Sequence, residues 1–372
     1  MMLRNRIEGF YYRNAVRPAM FLLDPEVIHE RMVGFGRRLG SRRFTRASTK
    51  LAFGFKDPKL GQTVAGIRFS NPVGLAAGFD KDGELGKILP MVGFGYGEFG
   101  SITRHPYGGN PRPWLARLKG QDSLIVHYGL KNDGVDKILP RLKQTRDFLR
   151  ENKIEFPIGV SVAAASPRKD ITEVEILKDV AQTFAAVAAV ADYITLNISC
   201  PNIYNSPDFL EPKNLENLLL ALPLAKTKQP IFLKLSPDMD DEQLEKIVRL
   251  AEKYGLAGFV AGNLTKDRSG LKNPPIPGGL SGKIVRRKSD QLIGKLARLN
   301  KNRLIIIGCG GIFSAEDAYR KIRLGASLLQ LITGMIYQGP QVISEINWGL
   351  AKLLERDGFI SIQEAVGVDI RR

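Results

Sequence analysis

From about Ser70 onward, short apolar runs alternate with longer stretches in which apolar residues return at helical spacing. The runs lie at residues 72–76, 93–102, 158–162, 193–197, 231–235, 258–261, 304–307 and 327–331. Each is brief and apolar on both faces, as in a parallel strand covered on both sides. The stretches between them read as amphipathic helices. In residues 240–254, Leu244, Ile247, Val248 and Ala251 fall on one face. Eight such strands in roughly 280 residues predict an α/β fold, a closed (β/α)8 TIM barrel. An open doubly wound sheet satisfies the same pattern and stays open at this point.

Two stretches break the alternation. Residues 104–126, rich in Pro, Gly and basic side chains, read as a long excursion with hairpin character, and residues 264–283 as a second. Long loops after barrel strands belong to the active-site face. The first 50 residues differ again. Asp24-Pro25 is a helix start, an N-cap acid followed by proline at the first helical position, with Glu26 favourable to the helix dipole. Ile28, Met32, Phe35 and Leu39 then share a face, and Gly40 can end the helix. Before it, an aromatic and aliphatic helix containing Phe10, Tyr11, Tyr12, Val16 and Met20 is interrupted at Pro18. Arginines 13, 17, 31, 37 and 38 flank both. The pattern fits an interfacial helix pair and equally a helical cap packed on the barrel. The division expected is therefore a helical extension over 1–50 and a barrel over 51–372.

Charge changes this picture. The chain of 372 residues carries a formal +17, which admits a nucleic-acid binder, a protein resting on an anionic membrane, or a solvated surface with no partner. Residues 1–50 hold eleven Lys and Arg against four acids. That skew favours a local membrane-docking surface over nucleic acid. Two cysteines, Cys200 and Cys309, make no disulfide framework and fit a reducing cytosolic setting. The histidines, at 29, 105 and 127, lack metal-ligand spacing, and no secretory signal is evident. The longest uncharged run, 324–344, is broken by Gln330, Gly334, Gln338 and Gly339-Pro340 and reads as a buried strand plus a loop.

Candidate chemistry gathers at the strand ends. Gly308-Cys-Gly310-Gly311-Ile follows the seventh strand, and Thr333-Gly334 follows the eighth. That is where barrels seat phosphate, on backbone N–H groups and a helix N-terminus. The match Gly95-Tyr-Gly97-Glu-Phe-Gly100 is discounted as a dinucleotide fingerprint, because no helix opens on it. Asn197-Ile-Ser199-Cys200-Pro-Asn202 ends the fourth strand. Its amides can hold a planar heterocycle, and its thiol can act as a base if its pKa is lowered. Lys81, and Lys234 inside an apolar strand, need anionic or polar partners. A structural ion pair is the alternative for Lys234.

These residues resemble the dihydroorotate dehydrogenase family. The matching segments are Asn71-Pro-Val-Gly-Leu-Ala-Ala-Gly-Phe-Asp-Lys-Asp-Gly83, residues 197–202, Lys234-Leu-Ser-Pro-Asp238, Gly278-Gly-Leu-Ser-Gly282, residues 308–312, Gly325-Ala-Ser-Leu-Leu-Gln330 and Gly339-Pro340. Phe10-Tyr-Tyr and Leu22-Leu-Asp-Pro-Glu26, with His29-Glu30, are similar to the extension of the membrane-associated, quinone-using branch. The resemblance implies an FMN-carrying barrel, peripheral on the cytoplasmic face of a membrane, that oxidises dihydroorotate to orotate and passes electrons to quinone in pyrimidine synthesis. It implies FMN contacts at Ala77, Gly78, Lys81, Ser101, Asn197, Lys234, Gly282, Gly310, Gly311, Thr333 and Gly334. Substrate contacts would be Lys81, Lys131, Asn132, Asn197, Asn202 and Asn263. The base would be Cys200, its pKa lowered by Lys131 and Lys234.

This chain departs from the family at several of these places. The membrane branch has serine where Cys200 stands, and cysteine belongs to the soluble branch. Lys131 replaces a substrate-binding asparagine, and Leu264 a Ser or Thr. Ser161 and Gly262 replace a flavin-contacting Asn and Thr, residues 162–165 replace a stretch bearing glycine and lysine, and Ile332 replaces a tyrosine. The departures cluster on one pocket. They leave a different small anionic or heterocyclic substrate as the alternative.

Overall fold

Eight parallel strands close on themselves in the order of the chain: β1 (Val73–Leu75), β2 (Tyr96–Ile102), β3 (Ile158–Val162), β4 (Tyr193–Asn197), β5 (Ile231–Leu235), β6 (Gly258–Ala261), β7 (Ile305–Cys309) and β8 (Leu328–Leu331). This computed structural model describes residues 2–118, 120–164, 170–202, 207–301 and 303–370. Closure is made by β8 beside β1, with Leu329 opposite Val73 and Leu331 opposite Leu75. All eight expected strands form, and the open sheet is excluded. The helices between strands bury the stripes read from sequence. Helix Asp241–Lys253 buries Leu244, Ile247, Val248 and Ala251.

The barrel interior is packed, not hollow. Tyr96, Tyr193, Phe232, Val260, Ile307 and Leu328 form a cluster at its centre. Tyr193 fits because residue 159 on the neighbouring strand is glycine: a Cβ there would lie 2.1 Å from the tyrosine ring. Close packing also accounts for the discounted glycine pattern. A Cβ on Gly95 would meet the Asn71 carbonyl oxygen at 2.2 Å, and the segment continues as strand.

Both irregular excursions build one hood over the barrel's C-terminal end. Strands Leu115–Leu118 and Ser123–Val126 form an antiparallel hairpin, and Gly279–Gly282 adds a third strand along Ser123–Val126. The uncharged run at 324–344 resolves into β8, helix Thr333–Gln338 and the start of helix Val342–Arg356. Among the described residues, no helix is long and apolar enough to cross a membrane.

The N-terminal segment holds more helix than its pattern suggests. Helix Met2–Tyr11 passes through a π-helical turn, Tyr12–Val16, into Arg17–Phe21, where Pro18 opens the new helix. Helix Pro25–Ser41 starts at its Asp24 cap, whose carboxylate accepts from the Glu26 and Val27 N–H groups. A further helix, Arg43–Phe53, went unread because its pattern is basic rather than apolar. The segment is tied down from inside: Asn5 Nδ2 donates to Ser344 Oγ at 3.2 Å and the Tyr12 hydroxyl to the Ile336 carbonyl at 2.8 Å. Glu26 is buried, accepts from the Trp114 N–H and faces Arg112 at 3.4 Å. The outer face stays apolar. Of the thirteen large hydrophobic residues exposed among the described residues, ten lie between Ile7 and Leu51, with Leu22 88% and Phe44 81% exposed. Met32 and Phe35, from the stripe that fits either an interfacial or a barrel-packed helix, belong to this outer face.

Candidate active site

The C-terminal ends of the strands and the hood enclose a cavity of about 200 Å³. Every residue expected to bind cofactor or substrate lines it, apart from Asn132. That side chain is committed to the fold. Its amide donates to Thr103 Oγ1 at 2.8 Å and to the Leu130 carbonyl at 2.9 Å, and its oxygen accepts from the Gly134 N–H at 2.8 Å. Asn132 therefore shapes the loop that carries Lys131 and does not enter the cavity.

A connected polar chain crosses one wall. Asn263 Nδ2 donates to Asn197 Oδ1 and to Ser199 Oγ, both at 3.1 Å, and Asn197 Nδ2 donates to Ser101 Oγ at 2.9 Å. Ser101 meets Ser161 at 2.8 Å, so Ser161 orients a neighbour where the family has asparagine. Asn197 spends one donor and one acceptor on this chain of contacts, which leaves one of each for a planar ligand. Asn263 spends both donors on the protein. Asn202 donates to the Val126 carbonyl at 2.9 Å, tying the β4 loop to the hood.

The cations divide into three kinds. Lys234 is buried on β5 and makes no ion pair among the described residues, so the structural-pair alternative fails. Lys81 lies in the loop after β1, where buried Asp80 anchors the turn by accepting from the Glu84 and Leu85 N–H groups. Burial lowers the Lys81 ammonium to about 8 despite the nearby acids. Lys131 is not the buried cation expected. It is 36% exposed, sits 3.6 Å from Glu30 and lies over the Trp114 ring.

Cys200 lies on the cavity wall between these groups. Desolvation pushes its thiol up to about 11. The Asn202 N–H, Lys234 and Lys266 pull the other way and are outweighed. The expected lowering by Lys131 and Lys234 is thus corrected: Lys234 acts in the right direction but loses to burial, and Lys131 does not contribute. Cys309 also lies on the wall, packs against the barrel-centre cluster and is raised by burial. It keeps its structural reading.

Opposite the amides, Gly310 and Gly311 turn at φ +110° and +70° after β7. A Cβ on Gly311 would sit 2.5 Å from the Arg286 Cα, so the turn requires glycine for protein packing as well as for its backbone angle. Helix Thr333–Gln338 opens beside it, with Thr333 Oγ1 2.6 Å from Ser281 Oγ. Its first-turn N–H groups have no intrahelical acceptors, and Thr333, Gly334 and Ile336 line the cavity. Leu264, Ile332 and Val126 make the remaining wall apolar. Of the stretch 162–165, residue 165 lies outside the described residues.

A model of the family described as dihydroorotate dehydrogenase matches residues 59–354. The chain belongs to the dihydroorotate dehydrogenase family. It is 37% identical over 363 residues to the dihydroorotate dehydrogenase (quinone) of Mycobacterium sp. (strain KMS), covering 96% of this chain and 99% of that protein. The corresponding enzyme of Roseiflexus sp. (strain RS-1) is 38% identical over 95% of this chain and 97% of its own. The crystal structure of DHODH from Eimeria tenella in complex with ferulenol superposes with a TM-score of 0.84 at 29% identity, covering 94% and 96% of the two chains. Dihydroorotate dehydrogenases are flavin-dependent oxidoreductases.

Within this dihydroorotate dehydrogenase scaffold the structure adds wall residues that sequence reading did not assign to the pocket: His29, Phe79, Tyr128 and Ser281. His29 and Tyr128 arrive from the extension and from the loop after the hairpin. No local pattern places either beside Lys81. Ser281 lay within a quoted family segment, and the strand pairing of Gly279–Gly282 puts it at the cavity.

Proposed function

We propose that this protein oxidises dihydroorotate to orotate on bound FMN and hands the electrons to a quinone. One observation carries the reading. A single cavity joins a thiol, a planar-ligand amide set, three lysines and a glycine turn able to seat an anion, on a barrel of this family. The residues fit FMN. Gly310, Gly311, Thr333 and Gly334 would hold the phosphate through backbone N–H groups. Lys234, a buried cation without an ionic partner among the described residues, would face the ring system, with Ala77, Gly78, Ser101, Asn197 and Gly282 completing the seat. FMN, when bound, supplies the hydride acceptor and carries the electrons onward.

The protein's own groups supply the rest. Asn197 and Asn202 hold the planar ring of the substrate, and Lys81, with Lys131 at the rim, attracts its carboxylate. Cys200 Sγ takes the proton from substrate carbon as the C–H bond beside it loses hydride. The apolar wall of Val126, Leu264 and Ile332 keeps water from the reacting atoms. The exposed apolar face of residues 7–51, ringed by arginines, rests on an anionic membrane surface and brings quinone to the cavity mouth. The extension over 1–50 is then a docking module on the FMN barrel of 51–372. Leu264 and the half-exposed Lys131 support a second reading, oxidation of a different small anionic heterocycle by the same machinery.

Anaerobic mixing of the purified flavoprotein with dihydroorotate tests the first reading. Bleaching of the flavin band is expected. A protein that binds FMN but is not bleached by dihydroorotate excludes that substrate and leaves the second reading.

A further inference from the structure

Helix Pro25–Ser41 was read as part of a docking module, yet one of its side chains reaches the substrate cations. His29 Nε2 lies 3.1 Å from Lys81 Nζ. The same ammonium sits 3.8 Å above the Tyr128 ring. His29 is itself wedged edge-on against Phe79, with ring centroids 5.0 Å apart, so its lone pair is aimed rather than mobile. The imidazole is neutral, because burial and the neighbouring lysines push its protonation far down. A neutral ring nitrogen beside an ammonium can only accept. A second cavity, of about 170 Å³, opens between the helix and the loop after β1, and shares His29, Phe79, Lys81, Tyr128 and Lys131 with the first. Glu30 and Val33 of the same helix also line that gap, and Glu30 favours the charged form of Lys81.

We propose that His29 is a positioning residue for substrate binding: its Nε2 and the Tyr128 ring together hold the Lys81 ammonium at the place from which it meets the substrate carboxylate. The N-terminal extension is then a wall of the substrate site and not solely the approach for quinone. The outer face of the same helix exposes Val27, Met32 and Phe35. Membrane docking and substrate binding would then use two faces of one helix of seventeen residues.

The inference rests on the proposed function only for the identity of the anion, so two readouts are needed. Full-length FMN-loaded protein is compared as wild type, His29→Leu and His29→Gln. Leucine fills the space without an acceptor, and glutamine restores an acceptor oxygen. In the first readout, orotate is titrated calorimetrically. His29→Leu is expected to weaken it about tenfold, at the low end for a hydrogen bond to a charged group. His29→Gln is expected to recover to within about threefold of wild type. In the second, Lys81 is labelled with limiting acetic anhydride and mapped by mass spectrometry. His29→Leu should label several-fold faster, because the amine is released, and His29→Gln should not. Equal behaviour of the two variants in both readouts overturns the proposal, as does a change confined to the KM for a soluble quinone. A wild type that ignores orotate while the labelling contrast holds sinks the substrate assignment and leaves His29 holding Lys81.

Discussion

The base assignment makes a quantitative demand on pH. With the Cys200 thiol raised to about 11 by burial, roughly one thiol in 10⁴ is ionised at neutrality. Each pH unit up to about 11 should multiply that fraction tenfold. The rate of anaerobic flavin bleaching at saturating substrate should follow it, rising about a hundredfold between pH 7 and pH 9. Affinity should move oppositely. Lys81 is a cation below about 8 and loses its charge as pH rises through that value, so the anionic substrate binds more weakly on the alkaline side. The two effects separate in stopped-flow traces, because saturating rates report the thiol and half-saturation reports the lysine. Cys200→Ala should slow bleaching by a factor on the order of 10²–10⁴, the usual contribution of a positioned base. Cys200→Ser, a weaker acid, should keep part of the rate with its rise moved to higher pH. FMN content should be unchanged in both. A saturating rate that is flat from pH 7 to pH 9, or Cys200→Ala bleaching as fast as wild type, refutes the reasoning.

Thr333→Glu should abolish FMN retention, since it sets a carboxylate at the cavity end of helix Thr333–Gln338 where the phosphate would sit; gel-filtered protein that stays yellow would contradict the seat. Leu22→Ser with Phe44→Ser removes two apolar side chains from the outer face without touching the core, and binding to anionic vesicles should fall roughly tenfold or more. Sedimentation with vesicles that is indistinguishable from wild type would dismiss that face as the docking surface. Glu30→Gln frees Lys131 from its 3.6 Å partner. Orotate should then bind about twofold tighter, a small change because the pair is exposed, and a weaker complex would show that Lys131 does not serve the carboxylate.

Why some of this was legible in the sequence and some was not follows from the range of the interactions involved. The barrel strands were readable because burial on both faces forces a continuous apolar run, a constraint each strand satisfies locally. The Asp24-Pro25 helix start was readable because a cap bonds to its own next residues. The helix Arg43–Phe53 was missed because it packs few apolar side chains and leaves Phe44 and Leu51 outside. At the site, residue type was a fair guide to position but a poor one to state. Asn132 has the chemistry of a ligand contact and spends it on Thr103, Leu130 and Gly134. Cys200 sits among lysines that favour a thiolate, yet desolvation outweighs them. Lys131 reads as a cation lacking an anion, and Glu30 answers it from a helix about a hundred residues earlier in the chain. Each of these outcomes is decided by which distant segment arrives at the cavity. The extension is the segment that arrives most often: Glu26 anchors the hood, His29 meets Lys81, and Glu30 meets Lys131. A boundary near residue 50 therefore divides the chain by pattern, while the substrate pocket straddles it. Removing the first 50 residues would strip an acceptor from Lys81 and a buried anchor from Trp114, so a truncated barrel is a poor stand-in for the intact protein even in reactions that involve no quinone.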